Sequence, residues 1–170
     1  TKKLFEEKKL KVKTVVATLM SNFGFENYLR KELGVKLIRT SVGDINVINE
    51  MQKKSYCLGG EQSGHIILSE YSKTGDGILV ALKILEILKN SNLDTYELFN
   101  NYHSYHQEKI NLSIKDKLNN KTRNLIKKIS DKYQIKNSHL RYLVRESGTE
   151  PLVRILIEGK NKKEVKKEIK

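Results

Sequence analysis

The stretch Arg145 to Arg154, R-E-S-G-T-E-P-L-V-R, sets two guanidinium groups on either side of a short turn. The turn carries the hydroxyls of Ser147 and Thr149, together with Gly148 and Pro151. Arginine donates two parallel hydrogen bonds to an oxyanion, glycine lets backbone approach a ligand, and consecutive N–H groups in such a turn form a concave nest. Arg145, Ser147, Gly148, Thr149 and Arg154 therefore form a candidate phosphate cradle. The same residues also suit an ordinary hairpin loop whose Ser and Thr satisfy their own backbone. A second stretch, Gly59 to His65, reads G-G-E-Q-S-G-H. Glu61, Ser63 and His65 alternate, so an extended loop aims a carboxylate, a hydroxyl and an imidazole to one side, a set that suits the vicinal hydroxyls of a sugar. A tight hairpin with solvated polar tips is the alternative, and His65 alone reads equally as a structural histidine or a proton-transfer group.

The elements that must position these loops follow from periodicity. Leu4 to Leu10 reads as the tail of a helix, Thr14 to Leu19 as a buried strand rich in β-branched residues, and Phe25 to Leu33 as a helix stopped at Gly34. Val35 to Arg39 is a second strand, followed by a helix from Ile45 to Lys53 with Asp44 as its N-cap and Ile45, Ile48 and Met51 on its apolar face. After the Gly59 to His65 loop, Asp76 caps a helix over Ile78 to Leu88 whose pattern predicts deep burial. Strand and helix in this rhythm give a three-layer α/β domain with a mixed, largely parallel sheet, in which ligands meet the loops at the carboxyl ends of strands. The polar run Asn90 to Asp94 marks a boundary, which assigns residues 1–94 to the α/β domain and 95–170 to a second domain. There the pattern changes to a strand over His103 to Ile114, a basic helix over Lys115 to Tyr133, a strand pair around the arginine turn, and a helix from Lys162, a small α+β sandwich.

Composition narrows the class. The chain has 170 residues, one cysteine (Cys57) and a net charge of +13. A lone cysteine makes no internal disulfide, no apolar run spans a membrane, and no leader-like apolar region follows the basic start, which predicts a cytoplasmic protein without a membrane partner. The lysines are scattered among Asn and Ile rather than gathered into a stripe, and no zinc-finger or recognition-helix spacing appears, so an anionic small ligand is a more economical partner than nucleic acid. His103 and His106 read as surface residues with no third metal ligand beside them.

Together the two loops resemble the phosphohexose mutase superfamily, and within it the bacterial phosphoglucosamine mutase branch. The supporting stretches are G-G-E-Q-S-G-H, R-E-S-G-T-E-P-L-V-R, A-T-L-M-S-N-F-G-F-E from Ala17, R-T-S-V-G-D from Arg39 and T-G-D-G from Thr74. The resemblance implies an isomerase that interconverts glucosamine 6-phosphate and glucosamine 1-phosphate through a phosphoserine and a bisphosphorylated intermediate. It implies that Glu61 and Ser63 grip sugar hydroxyls, that Arg145, Ser147, Gly148, Thr149 and Arg154 clamp the non-reacting phosphate, and that His65 is a candidate for proton transfer. It covers the last two of four family domains. The phosphoserine loop and the aspartate-rich Mg2+ loop are expected on N-terminal domains of the same enzyme, and this half alone is expected to be inactive. Asp44-Ile45-Asn46 departs from the Asp-Arg-Tyr common in the family. Phosphomannomutase or phosphoglucomutase activity, and a non-catalytic phosphosugar-binding module, are the competing readings.

Overall fold

Five consecutive buried residues, Thr14–Thr18, form β1 and run through the centre of the first sheet. A strand with both faces covered needs this continuous β-branched run. The computed structural model describes residues 1–147 and 150–169. Lys36–Thr40 (β2) and Leu58–Gly60 (β3) flank β1 in parallel, and Ile66–Leu68 (β4) pairs antiparallel to β3, giving the mixed order β2-β1-β3-β4. Alternation along β1 sends Val15 and Ala17 into a cluster with Leu29, Leu37 and Leu58, backed by helices Lys2–Glu6 (α1) and Phe23–Glu32 (α2). Val16 faces the other way, onto Val47 and Met51 of helix Asp44–Lys53 (α3). Helices thus cover both faces, which makes the three layers. This unit takes in Thr1–Ser21 and Phe25–His103, so helix Thr95–Phe99 (α5) belongs to it and the division falls at 103/104 rather than at 94/95.

Three local expectations need correction. Gly43, not Asp44, stands at the N-cap of α3; Asp44 is the first helical residue, and its Oδ1 accepts only the next N–H, from Ile45 at 2.8 Å. Ile45 is 58% exposed, and the buried face of α3 is carried by Val47 and Met51. Helix Gly77–Lys89 (α4) does have the Asp76 cap, with Leu79 N–H donating to Oδ1 at 2.9 Å, but it buries no residue. Ile78, Leu82 and Leu85 stand 78%, 60% and 59% exposed, an i, i+4, i+7 stripe open to solvent. No described helix is long and apolar enough to cross a membrane.

The second unit takes in Asn22–Gly24 and Ser104–Lys170. Its strands His106–Ser113 (β5), Leu140–Glu146 (β6) and Leu152–Gly159 (β7) form an antiparallel sheet in the order β5-β7-β6. Residues of one parity, Leu140, Tyr142, Ile155 and Ile157, pack with Val165 of helix Lys162–Glu168 (α7), and helix Asn120–Lys136 (α6) sets Tyr133 against Tyr142. Opposite parity carries Arg141, Arg145, Arg154 and Glu158 together with the apolar pair Leu143 and Leu156. Gln107, Glu158 and Arg141 form one row across the three strands, and Glu158, fully buried, bonds to both neighbours.

Tyr142 supplies a testable consequence of this packing. Asn137 Nδ2 donates to its hydroxyl oxygen at 2.9 Å, and its O–H donates to Glu168 Oε1 at 3.0 Å. Burial first, then the bond to the carboxylate, push the phenol up to about 12. An unfolded tyrosine releases its proton near about pH 10, so this group holds a proton longer in the folded chain and its stabilising contribution is lost as pH rises from there to the folded value. In a tyrosinate absorbance titration, Tyr142→Phe is expected to remove a late-titrating component and to flatten the alkaline decline in stability. An unchanged titration curve would contradict this.

Candidate functional site

Leu58, Gly59 and Gly60 carry the chain to the carboxyl end of β3, where α3 crosses so closely that a Cβ at Gly59 would overlap Met51 Sδ and lie 2.7 Å from Val47 Cγ1. The loop that follows is a tight hairpin. Glu61 N–H donates to His65 O at 2.9 Å, Gly64 N–H donates to Glu61 O at 3.1 Å, and Gly64 takes φ +100°. Within it the three expected side chains do converge. His65 Nδ1 lies 3.3 Å from Ser63 Oγ and 3.7 Å from Glu61 Oε2. The Glu61 side chain is only 10% exposed whereas that of His65 is 63% exposed, so the carboxylate is set into the protein and the imidazole faces water.

One contact was not legible in the sequence. Gly43 N–H, in the loop after β2, donates to Glu61 Oε1 at 2.9 Å, which leaves Oε2 as the carboxylate's outward acceptor. Gly43 adopts φ +116° and ψ 132°, a conformation open essentially to glycine alone. A glycine immediately before a helix was the available signal, but only the dihedral shows its use. Gly43→Ala is expected to cost about 1–3 kcal/mol of stability and to release Glu61; chemical denaturation followed on the first unit's signals checks it. A loss below a few tenths of a kcal/mol would show that the loop relaxes freely.

Arg39, at the end of β2, holds the neighbouring loop in place. Its Nε and Nη2 meet Glu26 Oε2 at 3.0 and 2.9 Å, and Nη1 donates to Ser21 O at 2.7 Å. This guanidinium ties the carboxyl ends of β1 and β2 to α2. Beside it a cleft of about 750 Å³ is lined by amide, hydroxyl and charged groups, including Thr40, Ser41, Asn46 and Asn49.

In the second unit, Arg145 and Arg154 are register partners on β6 and β7. Their side chains therefore leave the same face of the sheet, with Asn111 of β5 opposite Arg154. Like charges directly across a ladder repel one another, an arrangement that an anion bound between them relieves. Arg154 Nη2 meets Glu150 Oε2 at 2.6 Å, while Arg154 Nε is buried with no acceptor among the described residues. Ser147 is buried at the root of the turn; its N–H donates to Leu152 O at 2.8 Å and its Oγ accepts Glu150 N–H at 3.4 Å. Gly148 and Thr149 lie outside the described residues. Just before the turn, Glu146 is pinned by Leu118 N–H at 3.0 Å and by Arg123, and these partners, the backbone bond first, hold its carboxyl below the usual range. Among the described residues no group of three or more His, Cys, Asp or Glu side chains could hold a metal ion, so the residues present do not make a Mg2+ site. His106 bonds to Glu108 at 2.7 Å.

A three-layer α/β unit followed by a small α+β unit, each with a polar loop at a strand end, is the architecture of two consecutive sugar-phosphate mutase domains. The family comparison agrees: residues 1–105 match the phosphoglucomutase/phosphomannomutase alpha/beta/alpha domain III, and residues 110–170 match the C-terminal domain of the same family. The chain belongs to the phosphoglucomutase/phosphomannomutase family. It is 47% identical to the phosphoglucosamine mutase of Thermodesulfovibrio yellowstonii over 96% of this chain and 37% of that protein. It is 44% identical to the phosphoglucosamine mutase of Geobacillus kaustophilus over 93% of this chain and 35% of that protein. The chain thus spans about a third of the length of these curated relatives. The solved Aspergillus fumigatus N-acetylphosphoglucosamine mutase, in complex with GlcNAc-6P and magnesium, shares the fold with a TM-score of 0.76 at 18% identity, over 96% of this chain and 42% of that one.

Proposed function

We propose that this chain supplies the sugar- and phosphate-binding part of a phosphoglucosamine mutase, which interconverts glucosamine 6-phosphate and glucosamine 1-phosphate through a phosphoserine and a bisphosphorylated intermediate. The observation that carries the reading is the arginine pair: two guanidinium groups opposed across β6 and β7, one of them with a buried Nε lacking an acceptor among the described residues. Such an arrangement of donors suits an oxyanion. On this reading Arg145 and Arg154 bind the phosphate that is not reacting, with Ser147, Gly148 and Thr149 lining the turn. The Glu61 carboxylate, fixed through Gly43, accepts from sugar hydroxyls beside Ser63. His65, exposed and next to both, is the candidate to hold or pass a proton at a sugar oxygen. On this reading each unit helps to hold the ligand for chemistry carried out by other domains of the same enzyme, which would carry the Mg2+ ligands and the phosphoserine. Gln62 in the sugar loop favours an amino sugar over mannose or glucose phosphates.

The test is an NMR titration of the 170-residue chain with glucosamine 6-phosphate at physiological salt, with glucosamine and short DNA as comparators. Shifts of Arg145, Ser147 and Arg154, with smaller ones at Glu61 and Ser63, are the expected result. Saturable shifts with DNA and none with the phosphosugar would overturn the reading.

A further inference from the structure

The Glu150–Arg154 pair points to something that neither the family match nor the cradle itself contains. Glu150 sits in the turn, and its carboxylate takes Arg154 Nη2 at 2.6 Å through one oxygen, Oε2. It makes no bond to the adjacent Nε, which stays buried without an acceptor among the described residues. A phosphate does better at that edge. Two of its oxygens match the parallel Nε–H and Nη2–H donors of a guanidinium, so it satisfies the orphaned donor as well as the engaged one. The two anions cannot share Nη2 without close like-charge contact. The loop also gives the carboxylate somewhere to go. Glu150 is exposed, and its backbone is held independently of its side chain, by Ser147 Oγ and by Leu152 N–H donating to Glu150 O at 2.8 Å.

We infer that Glu150 is an internal counter-anion, an autoinhibitory contact that occupies the phosphate position in the unliganded protein and must swing out when phosphate binds. The inference rests on the cradle assignment made above. It gives the carboxylate a purpose in a site that must repeatedly release and recapture a phosphate: the displaced group returns to Arg154 and weakens the grip. A carboxylate that merely buttressed Arg154 would act the opposite way and strengthen binding.

The two roles separate by sign. Using the 170-residue chain and inorganic phosphate as the probe at fixed ionic strength, Glu150→Gln is expected to bind about two- to fivefold more tightly than the parent, the span of an exposed ion pair. In an Arg154→Ala background the same substitution is expected to change nothing, because the competitor has lost its site. Without ligand, the Arg154 Nε–Hε resonance is expected to move in Glu150→Gln, a reading that does not depend on binding. If Glu150→Gln weakens binding or leaves it unaltered while Arg154→Ala abolishes it, the inference fails and the cradle stands. If Arg154→Ala binds phosphate as tightly as the parent, or if no form binds, the cradle fails and the inference with it.

Discussion

Arg154→Ala is expected to remove most of the affinity for glucosamine 6-phosphate, about 1.5–3 kcal/mol for loss of a charged hydrogen-bond partner. At roughly tenfold per 1.4 kcal/mol this moves the dissociation constant by one to two decades. Glu150 and Asn111 cannot substitute, since neither carries a positive charge, and Arg145 alone retains only half of the opposed pair. Arg154→Lys is expected to recover little, because an ammonium places one point charge where the phosphate needs two parallel donors. Calorimetric or NMR titration reads this directly, with unchanged spectra outside the turn as the control for folding. An Arg154→Ala chain that bound as tightly as the parent would remove the basis of the cradle.

The largest stability effect is expected at Glu158. Its side chain is fully buried, Arg141 is 8% exposed opposite it, and Gln107 closes the row from β5. Glu158→Ala removes the buried carboxylate that Arg141 and Gln107 both bond to and is expected to cost about 3–5 kcal/mol. Replacing both charges together, Glu158→Leu with Arg141→Met, is expected to be far milder, because neither member of the buried pair is then left uncompensated. Urea unfolding followed on signals of the second unit gives both numbers. If the single and double variants lost equal stability, packing volume rather than charge would be the cause.

Periodicity and turn chemistry located nearly every element. The continuous run Thr14 to Thr18 read as a doubly covered strand because only burial on both faces tolerates it, and Gly34 marked the end of α2. The polar loops also announced themselves, since glycine and alternating chemical side chains are local features. What failed was context. An apolar stripe on α4 shows that a face is apolar, not that anything lies on it. Asp44 belongs to a residue type favoured both at the cap and in the first turn, and only the φ of Gly43 separates the two. The Gly43–Glu61 bond and the Glu150 contact depend on where loops distant in sequence or bent by a turn bring their atoms, and no spacing rule encodes that.

The bare stripe of α4 is also expected to influence how copies of this chain behave toward one another. A charge of +13 pushes them apart, while Ile78, Leu82 and Leu85 offer an attractive strip at close range. Added salt shortens the reach of the repulsion, to about 8 Å at physiological strength, and leaves the apolar attraction intact. Dispersion in dilute buffer and clustering in concentrated buffer are thus the expected ends of one colloidal balance, which light scattering across a salt series would read.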